Sequence, residues 1–299
     1  MIKAGFVGVI GRTNVGKSSL VNSIIGRKVS IVTSKVQTTR DRICGIYNDN
    51  LSQIVFIDTP GIHTHKSGNK LGTFMNTTAM KATKDVEVIL LLAPANERIG
   101  DNDKFLVQKL KDSQIPVILV ITKSDTIGKE EMFAKIMDWN SQGINFLDIV
   151  PTSSKRGMNI KKLVEIIQGL LPETGYRYFD EDAVSDKGNS FLIKEMIREK
   201  ILLRTGEEIP HSTAIMIEKY KDKKNIVEIS AIVLVERESQ KPIIIGKGGS
   251  KLKQIATDAR IELEVEFGKK VFIEIFVKVA NDWRKSIDYI RRLGYSDHE

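Results

Sequence analysis

Residues 11–18 have the types and the spacing that phosphate binding requires. They fit the pattern G-x-x-x-x-G-K-[ST] and lie between an apolar strand-like run and an amphipathic stretch. Glycines let consecutive backbone N–H groups wrap a phosphate, and the N-terminus of the following helix adds a partial positive charge. Lys17 would bridge the β and γ phosphates, and the Ser18 hydroxyl would bind Mg²⁺. The residues expected to contact the phosphates are Gly11, Arg12, Thr13, Asn14, Val15, Gly16, Lys17, Ser18 and Ser19.

A second polar segment follows the apolar run at 54–57. An aspartate at the end of a strand, here Asp58, can hold Mg²⁺ through the water shell of the ion. The N–H of Gly61 would be free to sense a γ-phosphate. Taken alone, an Asp-Thr-Pro-Gly segment is equally typical of an ordinary turn after a strand. Beside the phosphate loop it predicts further nucleotide contacts, made by Asp58, Thr59, Pro60 and Gly61.

Two further segments have groups suited to reading guanine. The carboxylate of Asp125 can accept both the N1–H and the exocyclic N2–H of guanine, whereas adenine offers no such pair of donors on that edge. This residue therefore predicts selection of GTP over ATP, with Lys123 lying along the base. A backbone N–H at 153–155 would donate to guanine O6, although that segment alone fits a polar loop equally well. The residues are Thr122, Lys123 and Asp125, and Ser153, Ser154 and Lys155.

The elements that must position these residues follow from the apolar pattern. Short apolar runs alternate with amphipathic stretches as far as residue 171, as in a mostly parallel sheet covered by helices on both faces. The runs are too apolar to be half exposed, so both faces of the sheet should be buried. The predicted strands are 5–10, 54–57, 86–92, 117–121 and 146–150, and the predicted helices are 17–25, 69–82, 101–111, 129–140 and 160–171.

A different pattern begins after a polar, acidic and aperiodic stretch at 173–189, which we interpret as a linker. Ser190 is a suitable N-cap for an amphipathic helix to about Arg204. Strands at 213–220 and 226–235 follow, then a short apolar turn and a glycine-rich loop. A helix from 250 to about 260, a strand at 271–279 and a last helix at 281–292 complete the pattern.

The glycine-rich loop reads G-K-G-G and lies between two short helical stretches. In the KH arrangement, a G-x-x-G loop lets the RNA backbone approach closely, and apolar residues beside it support a groove for about four nucleotides. A bare G-x-x-G also occurs in ordinary turns, so the prediction depends on the preceding isoleucines, the nearby lysines and the order of the strands. The residues expected to contact RNA are Gly246, Lys247, Gly248, Gly249, Lys251 and Lys253.

The four nucleotide segments, in this order, resemble the guanine-nucleotide domain of the translation-factor-like GTPases. Residues 38–41, Thr-Thr-Arg-Asp, resemble the first switch of Era, TrmE and EngA-type proteins. With the linker and the KH pattern, residues 3–293 resemble the Era family. The resemblance implies an α/β P-loop GTPase domain at 1–172 with a mixed, mostly parallel six-stranded sheet. A linker at 173–189 and a smaller α+β type II KH domain at 190–299 would follow.

This resemblance implies a GTPase of slow intrinsic rate that binds GTP or GDP with Mg²⁺. It also implies binding to small-subunit (16S) ribosomal RNA near its 3′ end, with assistance in processing and assembly of the 30S subunit. Thr39 would complete the Mg²⁺ shell only when a γ-phosphate is present, so the metal residues would be Ser18, Thr39 and Asp58, the last through water. Lys17, Thr39, Gly61 and Asn14 would serve hydrolysis.

Two positions depart from the usual GTPase pattern. Thr122 stands where the family has asparagine. Because a threonine cannot reproduce the contacts of the amide, we expect an altered base affinity, while specificity rests on Asp125. Ile62 stands where Ras-like enzymes have the glutamine that orients water. Asn14 suggests another route, because related GTPases use an asparagine there to help hold K⁺ beside the phosphates. A solvated loop asparagine is the alternative.

The composition and the charge of the chain indicate its class of partner and its cellular location. The chain has net charge +8, and all of the excess lies in residues 1–172, which contain 23 basic and 15 acidic residues. This charge favours an anionic partner such as nucleic acid. The one cysteine, Cys44, excludes an intrachain disulfide, and the four histidines have no metal-ligand spacing with it. Without an apolar run of membrane-spanning length or a readable export signal, the sequence predicts a cytoplasmic protein. A bacterial-type protein and a monomer are further expectations.

Other functions stay open at this point. One alternative is a membrane-surface switch with a protein effector that links growth or the cell cycle to the GTP level, with the KH fold serving only as a structural module. Peripheral contact with the inner face of the cell membrane is also attributed to the family that the chain resembles. A partner of an RNA-modifying enzyme is a third reading, although the sequence has no visible modifying site.

Overall fold

The computed structural model describes residues 1–33, 35, 38, 42–59, 61, 84–206 and 209–293. These residues form two compact units. The first contains the described residues of 1–30, 39–68 and 72–186, and the second contains those of 31–38 and 187–299. The predicted helix at 69–82 lies outside the described residues, as do Thr39, Pro60 and Ile62.

The first unit has a six-stranded sheet in the order β2-β3-β1-β4-β5-β6. Its described strands are β1 Lys3–Ile10, β2 Ile43–Asn48, β3 Ser52–Asp58, β4 Val88–Pro94, β5 Val117–Thr122 and β6 Asp148–Pro151. Only the β2–β3 pair among them is antiparallel, so the sheet is mixed and mostly parallel, as predicted. Parallel pairing brings the carboxyl ends of β1, β3, β4, β5 and β6 to one edge, where the predicted nucleotide segments follow.

Helices cover both faces of this sheet. They are α1 Lys17–Ile25, α2 Asp101–Leu110, α3 Lys129–Asn140 and α4 Ile160–Leu170. One face packs on α1 and α4, through residues such as Leu20 and Leu163. The opposite face packs on α2 and α3, where Leu106 and Trp139 are almost completely buried. Both faces are therefore apolar, which explains why the strands read as continuous apolar runs.

Strand β2 was not among the predicted runs. Gly45 interrupts its apolar run, yet it belongs to the strand. A Cβ atom at Gly45 would lie 2.6 Å from the side chains of both Ile25 and Val21 in α1. The glycine therefore lets helix α1 pack closely on this strand, and the requirement for that approach is invisible in a search for apolar alternation.

Residues 173–186 lie with the first unit. Glu173 bridges to Lys3 and Ser185 bridges to Gly45, both in antiparallel geometry. The carbonyl of Val184 accepts a hydrogen bond from the N–H of Ile46 at 2.9 Å. The contact-based division thus falls after Asp186, inside the stretch that the sequence assigns to a linker. The domain limits at 172 and 189 stay a prediction.

The second unit has a three-stranded sheet in the order β7-β8-β9, with β7–β8 antiparallel and β8–β9 parallel. One face of this sheet packs on two helices, α5 (Asn189–Arg204) and α8 (Ser250–Phe267), and the other packs on Trp283 and Leu293 near the end of the described chain. The described elements are α5 Asn189–Arg204, α6 Ile209–Ser212, β7 Ala214–Asp222, β8 Ile226–Val235, α7 Lys241–Ile245, α8 Ser250–Phe267, β9 Lys270–Val279 and α9 Ile287–Arg292.

Three helix boundaries in this unit differ from the prediction. Helix α5 begins at Asn189, and its N-cap is Gly188 and not Ser190. Helix α8 continues past Arg260 to Phe267 and ends at Gly268, whose φ of 61° lies in the left-handed region. The predicted helix from 281 begins only at Ile287, after a 3₁₀ turn at Trp283–Lys285. Across the described ranges, no helix combines the length and the apolar character needed to cross a membrane.

Candidate nucleotide and RNA sites

The phosphate loop connects β1 to α1 at the carboxyl edge of the sheet. Gly16, with φ of 103°, is the N-cap of α1, so the loop turns directly into the helix. Lys17 is buried, and its Nζ donates to the carbonyls of Gly11 at 3.2 Å and Arg12 at 2.9 Å. Burial lowers the pKa of Lys17 to about 8, although the nearby Asp58 carboxylate opposes this shift. The ammonium thus lies inside the loop at the place where a phosphate would be bound.

The two described residues of the predicted metal site lie together. The hydroxyl of Ser18 donates to Oδ2 of Asp58 at 2.7 Å. Asp58 is fully buried, and this burial raises its pKa above the usual range, while the Ser18 hydroxyl and the charge of Lys17 act against the rise. A hydroxyl and a carboxylate are oxygen donors of the kind that Mg²⁺ prefers. The donor set therefore fits Mg²⁺.

Gly61 lies directly against the phosphate loop. A Cβ atom at this position would lie 2.5 Å from Cγ2 of Thr13 and 2.7 Å from its Cα and backbone N. No side chain fits there without moving the loop. The structure thus brings Gly61 to the phosphate loop, as the sequence predicts, and Thr59 is anchored nearby through a 2.9 Å hydrogen bond to the carbonyl of Val9.

The base segments meet at the ends of β5 and β6. The hydroxyl of Ser153 donates to Oδ1 of Asp125 at 2.6 Å. This hydrogen bond is the main reason that the pKa of Asp125 lies below the usual value of an aspartate. The backbone of Lys123 is left-handed, with φ of 54°, and the N–H of Ser124 donates to the carbonyl of Thr152. The carboxylate of Asp125 is thus held ionised and oriented by the other predicted segment.

In the second unit, the glycine loop caps the N-terminus of α8. Gly248 and Gly249 have φ of 58° and 78°, and no atom of the described residues, other than those of the glycine and its chain neighbours, lies within 4 Å of a Cβ built at either position. Gly246 differs, because a Cβ there would lie 2.7 Å from Cβ of Lys251. Lys247 and Lys253 are exposed, and Lys251 is half-buried. The open part of the loop, beside two exposed lysines and a helix N-terminus, can accept an anionic backbone.

Comparisons with known proteins place these two sites in one family. A family model described as 50S ribosome-binding GTPase matches residues 6–123, and a KH domain model matches residues 208–284. A crystal structure of a variant of Aquifex aeolicus Era, bound to GDP and aluminium fluoride, is 40% identical and covers 99% of this chain and 100% of its own, with a TM-score of 0.94. The chain belongs to the Era family.

A second Era structure extends the comparison. It contains Era in complex with MgGDPNP and nucleotides 1506–1542 of 16S ribosomal RNA, is 39% identical, and covers 99% of this chain and 100% of its own, with a TM-score of 0.91. This Era-family chain is therefore a GTPase with a C-terminal KH domain, and the predicted fold class is confirmed. Of the predicted nucleotide residues, Thr39 and Pro60 lie outside the described part of the chain.

Thr122, the departure from the usual asparagine, connects the base segment of this Era-family chain to its phosphate loop. Its hydroxyl donates to the carbonyl of Val15 at 2.5 Å and lies 3.3 Å from that of Ala93. The side chain is buried. The hydroxyl therefore ties the base segment to the phosphate loop, a contact that the sequence did not suggest.

Two acidic residues beside the nucleotide site were not among the predicted site residues. Glu97 and Asp103 follow β4, and both form ion pairs with Arg12 of the phosphate loop. The only signal in the sequence was their position after a strand that ends at the same edge as β1 and β5. Acidic residues after a strand are equally typical of a solvated loop and a helix start, so the sequence alone does not distinguish them.

Proposed function

We propose that this Era-family GTPase binds GTP with Mg²⁺, hydrolyses it slowly, and uses its KH domain to bind small-subunit ribosomal RNA near the 3′ end during 30S assembly. The main observation in support of RNA binding is the open glycine loop at 248–249. Its support is the solved Era complex with a 16S fragment, which matches this chain over its full length.

At the nucleotide site, the roles follow from position. Lys17 would leave the loop carbonyls and bridge the β and γ phosphates, while Ser18 and Asp58 hold Mg²⁺ in place of their mutual hydrogen bond. The ion would neutralise charge that develops on the phosphates. Gly61 would donate its N–H to the γ-phosphate, and Thr39 would join the metal shell in the GTP state. Asp125 would select guanine.

Water positioning needs a group other than Ile62, which can neither donate nor accept a hydrogen bond. We propose that Asn14 helps to hold K⁺ beside the phosphates, where the cation would supply positive charge during hydrolysis. The backbone of Asn14 is left-handed, with φ of 60°. Turnover should be faster in K⁺ than in Na⁺, and Asn14→Ala should remove the difference. Equal turnover in both salts would contradict the K⁺ assignment.

RNA would enter at the glycine loop. Phosphate groups can approach the backbone at Gly248 and Gly249, since no residue in the described part of the chain occupies the space where a Cβ would lie. The N-terminus of α8 and the exposed Lys247 and Lys253 would provide the positive potential. Helix α8 also contains Glu262, Glu264 and Glu266, toward its other end. The attraction for RNA should therefore be local to the first turns of the helix.

The test is crosslinking of the protein to total cellular RNA, with and without a non-hydrolysable GTP analogue. Small-subunit ribosomal RNA should be enriched, and Gly248→Asp should abolish the enrichment with nucleotide binding intact. Gly268→Asp is the matched control, because Gly268 has a similar φ of 61° and equally open space at the far end of α8. Full RNA affinity in Gly248→Asp, or equal loss in both variants, would refute the KH assignment.

Three finer points belong to the same proposal: a monomer, a cytoplasmic location, and peripheral contact with the inner face of the cell membrane. Sedimentation of the purified chain tests the first. Flotation with anionic vesicles tests the last, and the signal should weaken as salt rises. Binding to vesicles but not to ribosomal RNA would favour the alternative of a membrane-surface switch with a protein effector.

A further inference from the structure

The connection between β4 and α2 lies beside both nucleotide-binding segments of the first unit. Its backbone is fixed at the start, where the N–H of Ala95 donates to the carbonyl of Thr122 at 2.8 Å. It is fixed at the end by Asp103, whose Oδ2 accepts the N–H of Gly100 at 2.9 Å. In between, Lys135 of α3 donates to the carbonyl of Glu97. This short connection is thus held to its neighbours along its length.

The side chain of Glu97 reaches both binding segments. One carboxylate oxygen lies 2.8 Å from Nη2 of Arg12 in the phosphate loop. The other lies 3.6 Å from Nζ of Lys123 in the base segment. A single carboxylate therefore links a cation of the phosphate loop to the cation expected along the base.

Asp103 holds the same guanidinium from the other side. Its Oδ2 lies 3.2 Å from Nε of Arg12, and its side chain is only 1% exposed. Arg12 is thus paired with one buried carboxylate and one that is 43% exposed. The buried pair fixes the position of the arginine, and the exposed pair connects it to Lys123.

We propose that Glu97 is a positioning residue for nucleotide binding, which keeps Arg12 and Lys123 in fixed relative positions so that the phosphates and the base are bound by one prearranged surface. The inference rests on the proposed function of this site. Glu97 acts through the two cations and does not touch the nucleotide. An ordinary surface ion pair would contribute little to nucleotide binding, because solvent screens the two charges.

The test compares Glu97→Gln with the parent chain in the release of fluorescent GDP and in steady-state hydrolysis. The amide keeps the shape and removes the charge. We expect GDP release to be about three- to tenfold faster, which corresponds to the loss of an ion pair worth about 1 kcal/mol. KM for GTP should rise by a similar factor, with a smaller change in kcat. In 1 M salt, the difference in release should shrink.

Glu165→Gln is the matched control. Glu165 also pairs with a lysine, Lys162 at 3.8 Å, and is 59% exposed, but it lies on α4 away from the binding segments. Its release rate and KM should equal those of the parent chain. Both variants should show the thermal unfolding of the parent chain, so that a change in release reports on the site.

A double-mutant cycle with Arg12→Gln completes the test. If Glu97 acts through Arg12, the effects of the two substitutions on GDP release will be smaller together than their product. Unchanged release in Glu97→Gln, equal changes in KM and kcat, or independent effects in the cycle would overturn the inference. A parent chain that does not bind GDP would instead overturn the proposed function.

Discussion

Replacing Thr122 with valine removes one hydroxyl from the contact between the base segment and the phosphate loop. Valine has nearly the same shape as threonine, so the main loss is the 2.5 Å hydrogen bond to the carbonyl of Val15. Thr122 is only 4% exposed, and water would not readily replace the donor. Leaving a buried carbonyl unpaired costs about 1 to 3 kcal/mol. We therefore expect the free energy of unfolding to fall by about 1 to 3 kcal/mol.

The same bond should also matter for nucleotide binding. Without it, the phosphate loop and the base segment are less firmly connected, and the nucleotide must order them on binding. GDP affinity should therefore fall by a factor of about five to ten, or roughly 1 kcal/mol. Urea unfolding measures the first effect, with the midpoint shifted and the slope unchanged. Titration with fluorescent GDP measures the second.

Thr152→Val is the control for this prediction. Thr152 is completely buried at the end of the neighbouring strand, and its hydroxyl has no hydrogen-bond partner among the described residues. Removing that hydroxyl should leave stability unchanged or raise it, and should leave GDP affinity unchanged. If Thr152→Val destabilises the chain as much as Thr122→Val does, or if Thr122→Val has no effect, the bond to Val15 does not have the importance that we assign to it.

Three further predictions concern the nucleotide site. Phosphate binding favours charged Lys17, whose pKa of about 8 should rise in the complex. GDP affinity is then nearly full below about pH 7, about twofold weaker at pH 8 and about tenfold weaker at pH 9. Calorimetry in two buffers should show uptake of about half a proton at pH 8, and no uptake would contradict this assignment. Gly61→Ala keeps the N–H but places a Cβ against Thr13 of the phosphate loop, so it should weaken GDP binding and also lower kcat for GTP roughly tenfold or more. Unchanged GDP binding would contradict the close approach of Gly61 to the loop. Asp125→Asn should weaken GDP binding about 10- to 100-fold and favour xanthosine diphosphate, whose C2 oxygen can accept the amide N–H. A competition assay between the two diphosphates measures this preference. A variant that still prefers guanine would exclude the proposed contact.

The sequence predicted elements wherever a local pattern determined them. Helices at 17–25 and 129–140 have the predicted bounds. Gly16 and Gly26 flank the first helix, and Gly128 precedes the second, which ends before Ser141. Strand β2 was not predicted, because Gly45 interrupts the apolar run at the position where α1 packs closely on the strand. The end of α8 was placed too early, since the glutamates after Arg260 resembled a separate polar segment.

The contacts within the site also include some that the sequence predicts and others that it does not. The pairing of Ser18 with Asp58 could be anticipated, because two motifs with a shared ligand must meet. The bond from Thr122 to Val15 and the ion pairs of Glu97 could not, because they depend on how strands distant in sequence end beside one another. Contacts of this kind, between side chains that are distant in sequence, produce no regular spacing from which they could be predicted.

The path of residues 173–186 has a consequence for the GTPase domain when it is produced alone. Strand β2 is an edge strand, and an uncovered edge offers backbone groups to which another chain can add. In this protein, Val184 accepts the N–H of Ile46, and Asp186 exchanges hydrogen bonds with Cys44. A fragment that ends at Pro172 would lack this cover and should aggregate through β2, whereas one that ends after Asp186 should stay in solution.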